Sequence, residues 1–91
     1  MKLQFLTRPE VRRVLDELVW GDRFEKELVC KFSNEDTFVE VRDLLLQYEL
    51  VYQLFGENKS PYLSLTDKGI AVISRLTEIE RILQGEDIDS E

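Results

Sequence analysis

Histidine is absent from the 91 residues, and cysteine occurs once, at Cys30. Without histidine the chain has no side chain whose ordinary pKa suits acid–base work near neutrality, and it lacks the nitrogen donor of most zinc, copper and non-haem iron sites. A single thiol cannot close an internal disulfide, so Cys30 reads as a partly buried small hydrophobe on a helix. No calcium-loop motif is present, and no G-x-x-x-x-G-K, G-x-G-x-x-G or G-x-S-x-G segment marks a nucleotide site or a nucleophile elbow. No metal, no cofactor and no enzymatic activity are expected.

Basic residues are also scarce. Twelve Lys and Arg against nineteen Asp and Glu leave a formal charge of −7, which repels phosphate at long range and argues against non-specific attachment to nucleic acid or anionic membrane. The terminal "GEDIDSE" holds Glu86, Asp87, Asp89 and Glu91, four of that excess of seven acids. Residues 85–91 are expected to form a solvated, mobile acidic tail behind a domain of residues 1–84. Long apolar runs are missing as well: "DLLLQYELVYQLF" is broken by polar residues far short of the roughly 20 a membrane span requires. The apolar part of "MKLQFLTRPE" is too short for a signal peptide. A cytoplasmic protein is expected.

What is present is the composition of a folding domain, 43% hydrophobic and 34% charged, in a length that supports one core. In "LTRPEVRRVLDELVWG", Thr7 and Glu10 have capping-box spacing, Pro9 falls in the first turn, and Val11, Val14, Leu15, Leu18 and Val19 repeat as one buried face. This predicts a first helix over residues 8–20, ended by Gly21. Arg8, Arg12 and Arg13 make a small basic patch on it, suited to pairing with acids such as Asp16, four residues after Arg12. "DRFEKELVCKF" repeats the capping spacing with Asp22 and Glu25, and predicts a short second helix with Phe24, Leu28, Val29 and Phe32 at helical spacing. Ser33 or Asn34 can cap a third helix, in which Glu35 and Asp36 favour the positive end of the dipole. Its apolar stripe is Phe38, Val41, Leu44 or Leu45, and Tyr48.

After Glu49 the period changes. "LVYQLF", the turn cluster "GENKSP" and "YLSL" predict a β-hairpin, and Thr66 or Asp67 then caps a last helix through about residue 83. Before the first helix, "KLQFL" is either a short strand or an apolar arm. The last helix carries Ile70, Ile73 and Thr77 on one stripe. Val72, Leu76, Ile79 and Leu83 recur at the a/d spacing of a coiled-coil seam, which reads either as a homodimer interface or as one wide core-facing stripe.

The class is α+β, mostly α, and the order of three helices, hairpin and C-terminal helix resembles the winged helix-turn-helix superfamily. The resemblance is to small archaeal and archaeal-viral members, over residues 7–83. It rests on "KELVCKF", on "LLLQYELVYQL" leading into the wing, and on "YLSLTDKG", which is similar to the "Y-x-L-T-x-K-G" close of many such domains. Two departures stand out: Tyr48 and Glu49 replace the usual small residue and Gly before "LV", and "FSNED" carries no Gly between the second and third helices.

The resemblance implies a transcriptional regulator that sets its third helix in the major groove of duplex DNA, with the wing on backbone or minor groove. Carried across, Asn34, Thr37, Glu40 and Arg42 face the groove, Asn58, Lys59 and Ser60 form the wing tip, and Arg23 and Lys26 lie near flanking phosphates. Charge opposes this, since residues 33–43 carry four acids against Arg42, a net −3. Screening confines the repulsion to about 8 Å at physiological salt. The alternative is a winged-helix module whose acidic third helix and apolar edges, including Val39 and Leu46, bind a protein partner instead of DNA.

Overall fold

The computed structural model describes residues 4–85. The expectations for residues 1–3 of the first apolar stretch and for residues 86–91 of the acidic tail lie outside the described residues. In chain order the elements are a 3-10 turn (Gln4–Thr7), α1 (Pro9–Val19), β1 (Arg23–Phe24), α2 (Glu25–Val29), α3 (Glu35–Gln47), β2 (Val51–Phe55), β3 (Pro61–Leu65) and α4 (Asp67–Leu83). The strands form one antiparallel sheet in the order β1-β3-β2. Among the described residues no helix is long and apolar enough to cross a membrane.

The described part of the first apolar stretch, residues 4–6, lies in a 3-10 turn and is not a strand. Phe5 and Leu6 both pack on the core, which the alternation of a strand forbids for neighbouring residues. The Phe5 ring stacks on Tyr48 with centroids 4.5 Å apart. The Thr7 hydroxyl donates to Gln4 O inside this turn at 2.7 Å, so it caps nothing. Arg8 takes the cap position of α1 without a side-chain bond, and Pro9 begins the helix as expected. Val11, Val14, Leu15 and Leu18 are buried, whereas Val19 points to solvent. Gly21 ends the segment at φ 138°, a conformation that other residues rarely adopt.

The expected capping pair of Asp22 with Glu25 is also replaced. Arg23 and Phe24 pair with Leu63 and Tyr62 of β3, which adds a third strand to the expected hairpin and delays the helix to Glu25. Its cap is the Phe24 N–H donating to Glu27 Oε1 at 2.9 Å. α3 starts at Asn34, whose Oδ1 accepts from Thr37 N at 2.8 Å. Phe38, Val41 and Leu45 are buried, so Leu45 rather than Leu44 continues the inner stripe.

The end of α3 explains how Glu49 stands where a glycine is ordinarily found. Glu49 sits at φ 61°, with its N–H on Leu46 O at 3.0 Å and that of Leu50 on Leu45 O at 2.9 Å. These are the two bonds of a Schellman ending, whose left-handed position is ordinarily Gly. Leu50 then enters β2, and the hairpin turns through Glu57, Asn58 and Lys59, with Gly56 N donating to Ser60 O at 2.9 Å.

Thr66 starts α4 and ties it to the α3–β2 corner. Its hydroxyl accepts from Gly69 N at 2.9 Å and donates to Glu49 O at 2.7 Å, while its N–H donates to Leu50 O at 3.0 Å. α4 starts so close to this corner that a Cβ on Gly69 would lie 2.1 Å from Leu50 O. Ile73 joins the core, which Leu28, Val51 and Leu63 complete from α2 and the sheet. Farther along, Arg12 of α1 donates two hydrogen bonds to Glu80, at 2.6 and 2.8 Å, and one to Asp16 at 3.0 Å. The hydrogen bond to Glu80 chiefly raises the Arg12 pKa, against the opposing effect of burial. Gly69→Ala is expected to lower unfolding stability by at least about 2 kcal/mol through overpacking against backbone, measured by chemical denaturation.

Candidate functional site

The start of α2, the N-terminal half of α3 and the tip end of the hairpin meet around a groove of ≈ 230 Å³ whose walls include Lys26, Val29, Glu35, Val39, Arg42 and Ser60. The residues expected from the sequence to share a surface are therefore brought together in part. Lys26 is exposed and lies 5.8 Å above the Phe24 ring. Asn58 and Lys59 stand exposed at the hairpin tip, and Ser60 is half-buried where the hairpin meets the groove. Lys59 holds φ 61°, and its N–H donates to Gly56 O at 2.9 Å.

Several other candidates have structural partners. Asn34 Oδ1 accepts from both the N–H and the hydroxyl of Thr37, at 2.8 and 3.0 Å. Glu40 pairs with Arg8 of α1 at 3.3 Å. Arg23 lies on β1 rather than at the start of a helix; its guanidinium donates to Asp22 O at 3.2 Å and lies 3.7 Å from Glu17. Of the basic patch on α1, Arg12 pairs with Asp16 as expected, and Arg13 donates to Lys31 O at 2.7 Å.

Arg42 is the most heavily engaged. Nη1 donates to Glu25 Oε1 at 3.0 Å, while Nε and Nη2 donate to Asp43 Oδ1 at 3.1 and 3.0 Å. Glu25 Oε2 accepts from Gln53 Nε2 at 2.6 Å. Glu25 is only 7% exposed, and both of its oxygens accept from these side-chain donors. Burial of Arg42 works against its charge, and the hydrogen bonds to Glu25 and Asp43 outweigh that effect, leaving its pKa raised. Neither Glu25 nor Gln53 is a candidate site residue on the sequence. Glu25 read as a capping partner of Asp22, and its actual partners lie 17 and 28 positions away, beyond any local spacing rule.

On the opposite side, the Val72–Leu83 stripe has two parts. Val72 and Leu76 pack against the chain's own core. Ile79 and Leu83 are 51% and 80% exposed, and Ile82 beside them is also exposed. The stripe borders a cleft lined by Phe5, Leu6, Tyr48 and Val72, with Gln47, Glu49 and Lys68 also contributing.

No family profile matches the sequence, and no curated protein matches it. Solved structures do. MepR, a transcription regulator of the Staphylococcus aureus multidrug efflux pump MepA, superposes with a TM-score of 0.77 over 90% of this chain and 64% of its own, at 17% identity. A transcriptional regulator from Clostridium thermocellum gives 0.73 over 93% and 92%, at 16% identity. A variant of S. aureus MepR bound to an oligodeoxyribonucleotide gives 0.68 over 97% and 70%, at 18% identity. The chain thus spans less than two thirds of MepR in the first comparison, and at these identities the likeness establishes the winged helix-turn-helix fold. Asn34→Ala is expected to lower stability by about 1 kcal/mol through loss of the α3 cap, measured by denaturation in the absence of any ligand.

Proposed function

We propose that this chain is a small winged-helix protein that binds duplex DNA and acts as a transcriptional regulator, working as a homodimer in the cytoplasm and catalysing no reaction. The observation that carries this reading is the exposed face of α3 beside a projecting hairpin, in an architecture shared with a regulator whose structure holds an oligodeoxyribonucleotide. Residues 1–84 form the binding domain, and 85–91 are an acidic appendage to it. The tie to archaeal and archaeal-viral members rests on the quoted segments alone.

In this reading the α3 N-terminus enters the major groove. Asn34 keeps its amide N–H groups for a base edge, while Thr37 and Glu40 lie at the interface and Asn58, Lys59 and Ser60 follow the adjacent backbone. Lys26 and Arg23 face flanking phosphate. The second reading, a protein-binding module, has the acidity of α3 in its favour. Arg8 offsets part of that acidity through Glu40, which weakens the case for it. Dimerisation uses the solvent-facing end of α4, where Ile79 and Leu83 extend the stripe begun by Val72 and Leu76.

The deciding measurement is fluorescence anisotropy of a labelled mixed-sequence duplex at about 50 and about 200 mM salt, where phosphate contacts appear as a loss of affinity. Two protomers each presenting Arg23, Lys26 and Lys59 correspond to a log–log salt slope of about −5. Absence of binding at the lower salt overturns the proposal in favour of the protein-binding module. Lys59→Gly suits the left-handed turn and removes the cation, so stability is retained while the slope falls in magnitude by about 2 for a dimer. Ile79→Glu leaves the monomer folded and shifts sedimentation to the monomer; a persisting dimer removes this face from the interface.

A further inference from the structure

Glu25 is the one acidic side chain among the described residues that is buried, and each of its oxygens holds a different element. Oε1 takes Arg42 from the middle of α3, and Oε2 takes Gln53 from the middle of β2, at 3.0 and 2.6 Å. The two elements that form the candidate interface, helix and wing, are therefore joined through one carboxylate supplied by a third element, α2. An ordinary apolar contact at this place would tolerate sliding, because dispersion has no direction. Two charge-assisted or charged-acceptor hydrogen bonds converging on one planar group set distance and angle together.

The surroundings reinforce that geometry. Gln53 lies on the inner face of the sheet opposite Leu63, which is fully buried. Phe38 and Val41 are buried on the adjoining inner face of α3. With Asp43 taking Nε and Nη2 and Glu25 taking Nη1, the guanidinium is held at two places around its edge.

We propose that Glu25 is the positioning residue that sets the angle between α3 and the wing, and that Arg42 acts through it as part of the same clamp rather than as a phosphate contact. The clamp rests on the DNA-binding reading only for its purpose; its geometry can be tested without DNA. Spin labels are placed at Asp36→Cys on α3 and Asn58→Cys on the wing tip, in a Cys30→Ser background, with labelled protein diluted into unlabelled chain. The parent is expected to give one narrow distance distribution, and Arg42→Gln and Gln53→Leu are each expected to broaden or shift it. Gln53→Leu retains the Glu25–Arg42 pair, so it tests the wing arm in a folded protein even where Arg42→Gln does not fold. An unchanged distribution in Gln53→Leu overturns the clamp.

The DNA arm separates positioning from contact. For Arg42→Gln, duplex affinity is expected to fall about tenfold, in line with the loss of one or two hydrogen bonds, with the salt slope unchanged. A slope reduced in magnitude by about 2 for a dimer, with an unchanged label distance, identifies Arg42 as a phosphate ligand and overturns the assignment. If the parent binds no duplex at either salt, the functional reading fails while the label distances still decide the clamp.

Discussion

Two adjacent carbonyls, of Glu49 and Leu50, hold the architecture together. They lie where α3 ends and β2 begins, and both accept from Thr66, where β3 ends and α4 begins. The hairpin is thereby closed at its base by the residue that caps the next helix. This double use requires a left-handed Glu49 to turn the chain and a Gly69 with no side chain to let α4 approach. The wing projects from that closed base, so the position of its tip relative to α3 depends on this corner and on the Glu25 network above it.

The acidity of α3 also has a structural explanation. Glu35 and Asp36 occupy the first turn, where the exposed N–H groups favour negative charge. Glu40 meets Arg8 and Asp43 meets Arg42, which connects α3 to α1 and to the network with α2. The sum of −3 over residues 33–43 already counts Arg42; Arg8, from the start of α1, adds one further cation against it through Glu40. Salt bridges at such exposed sites contribute little to stability individually. Their consequence here is electrostatic, reducing the repulsion of a polyanion close to the helix.

Much of the fold was legible. The spacing of Val11, Val14, Leu15 and Leu18 locates α1, Asn34 and Thr66 are residue types that cap helices and stand at the right places to do so, and the strand–turn–strand composition locates both strands of the hairpin. The misses share a cause. Thr7, Asp22 and the "KLQFL" stretch all have local patterns that a distant contact overrode: the packing of Phe5 and Leu6 on the core, and the pairing of β1 with β3. A strand of two residues has no period of its own. The engagement of Arg42 has no signal in the sequence, because its partner Glu25 lies in another element.

Local chemistry alone was therefore sufficient to determine the order and approximate limits of the helices and hairpin, since caps, turn residues and apolar periodicity act within a few positions along the chain. Tertiary structure alone decided which charges remain on the surface, how α3 is held against the wing, and which half of the Val72–Leu83 stripe is left to solvent. Those outcomes depend on contacts between residues tens of positions apart, such as Arg12 with Glu80 and Glu25 with Gln53, whose pairing is set by the packing of the core and has no counterpart in sequence spacing.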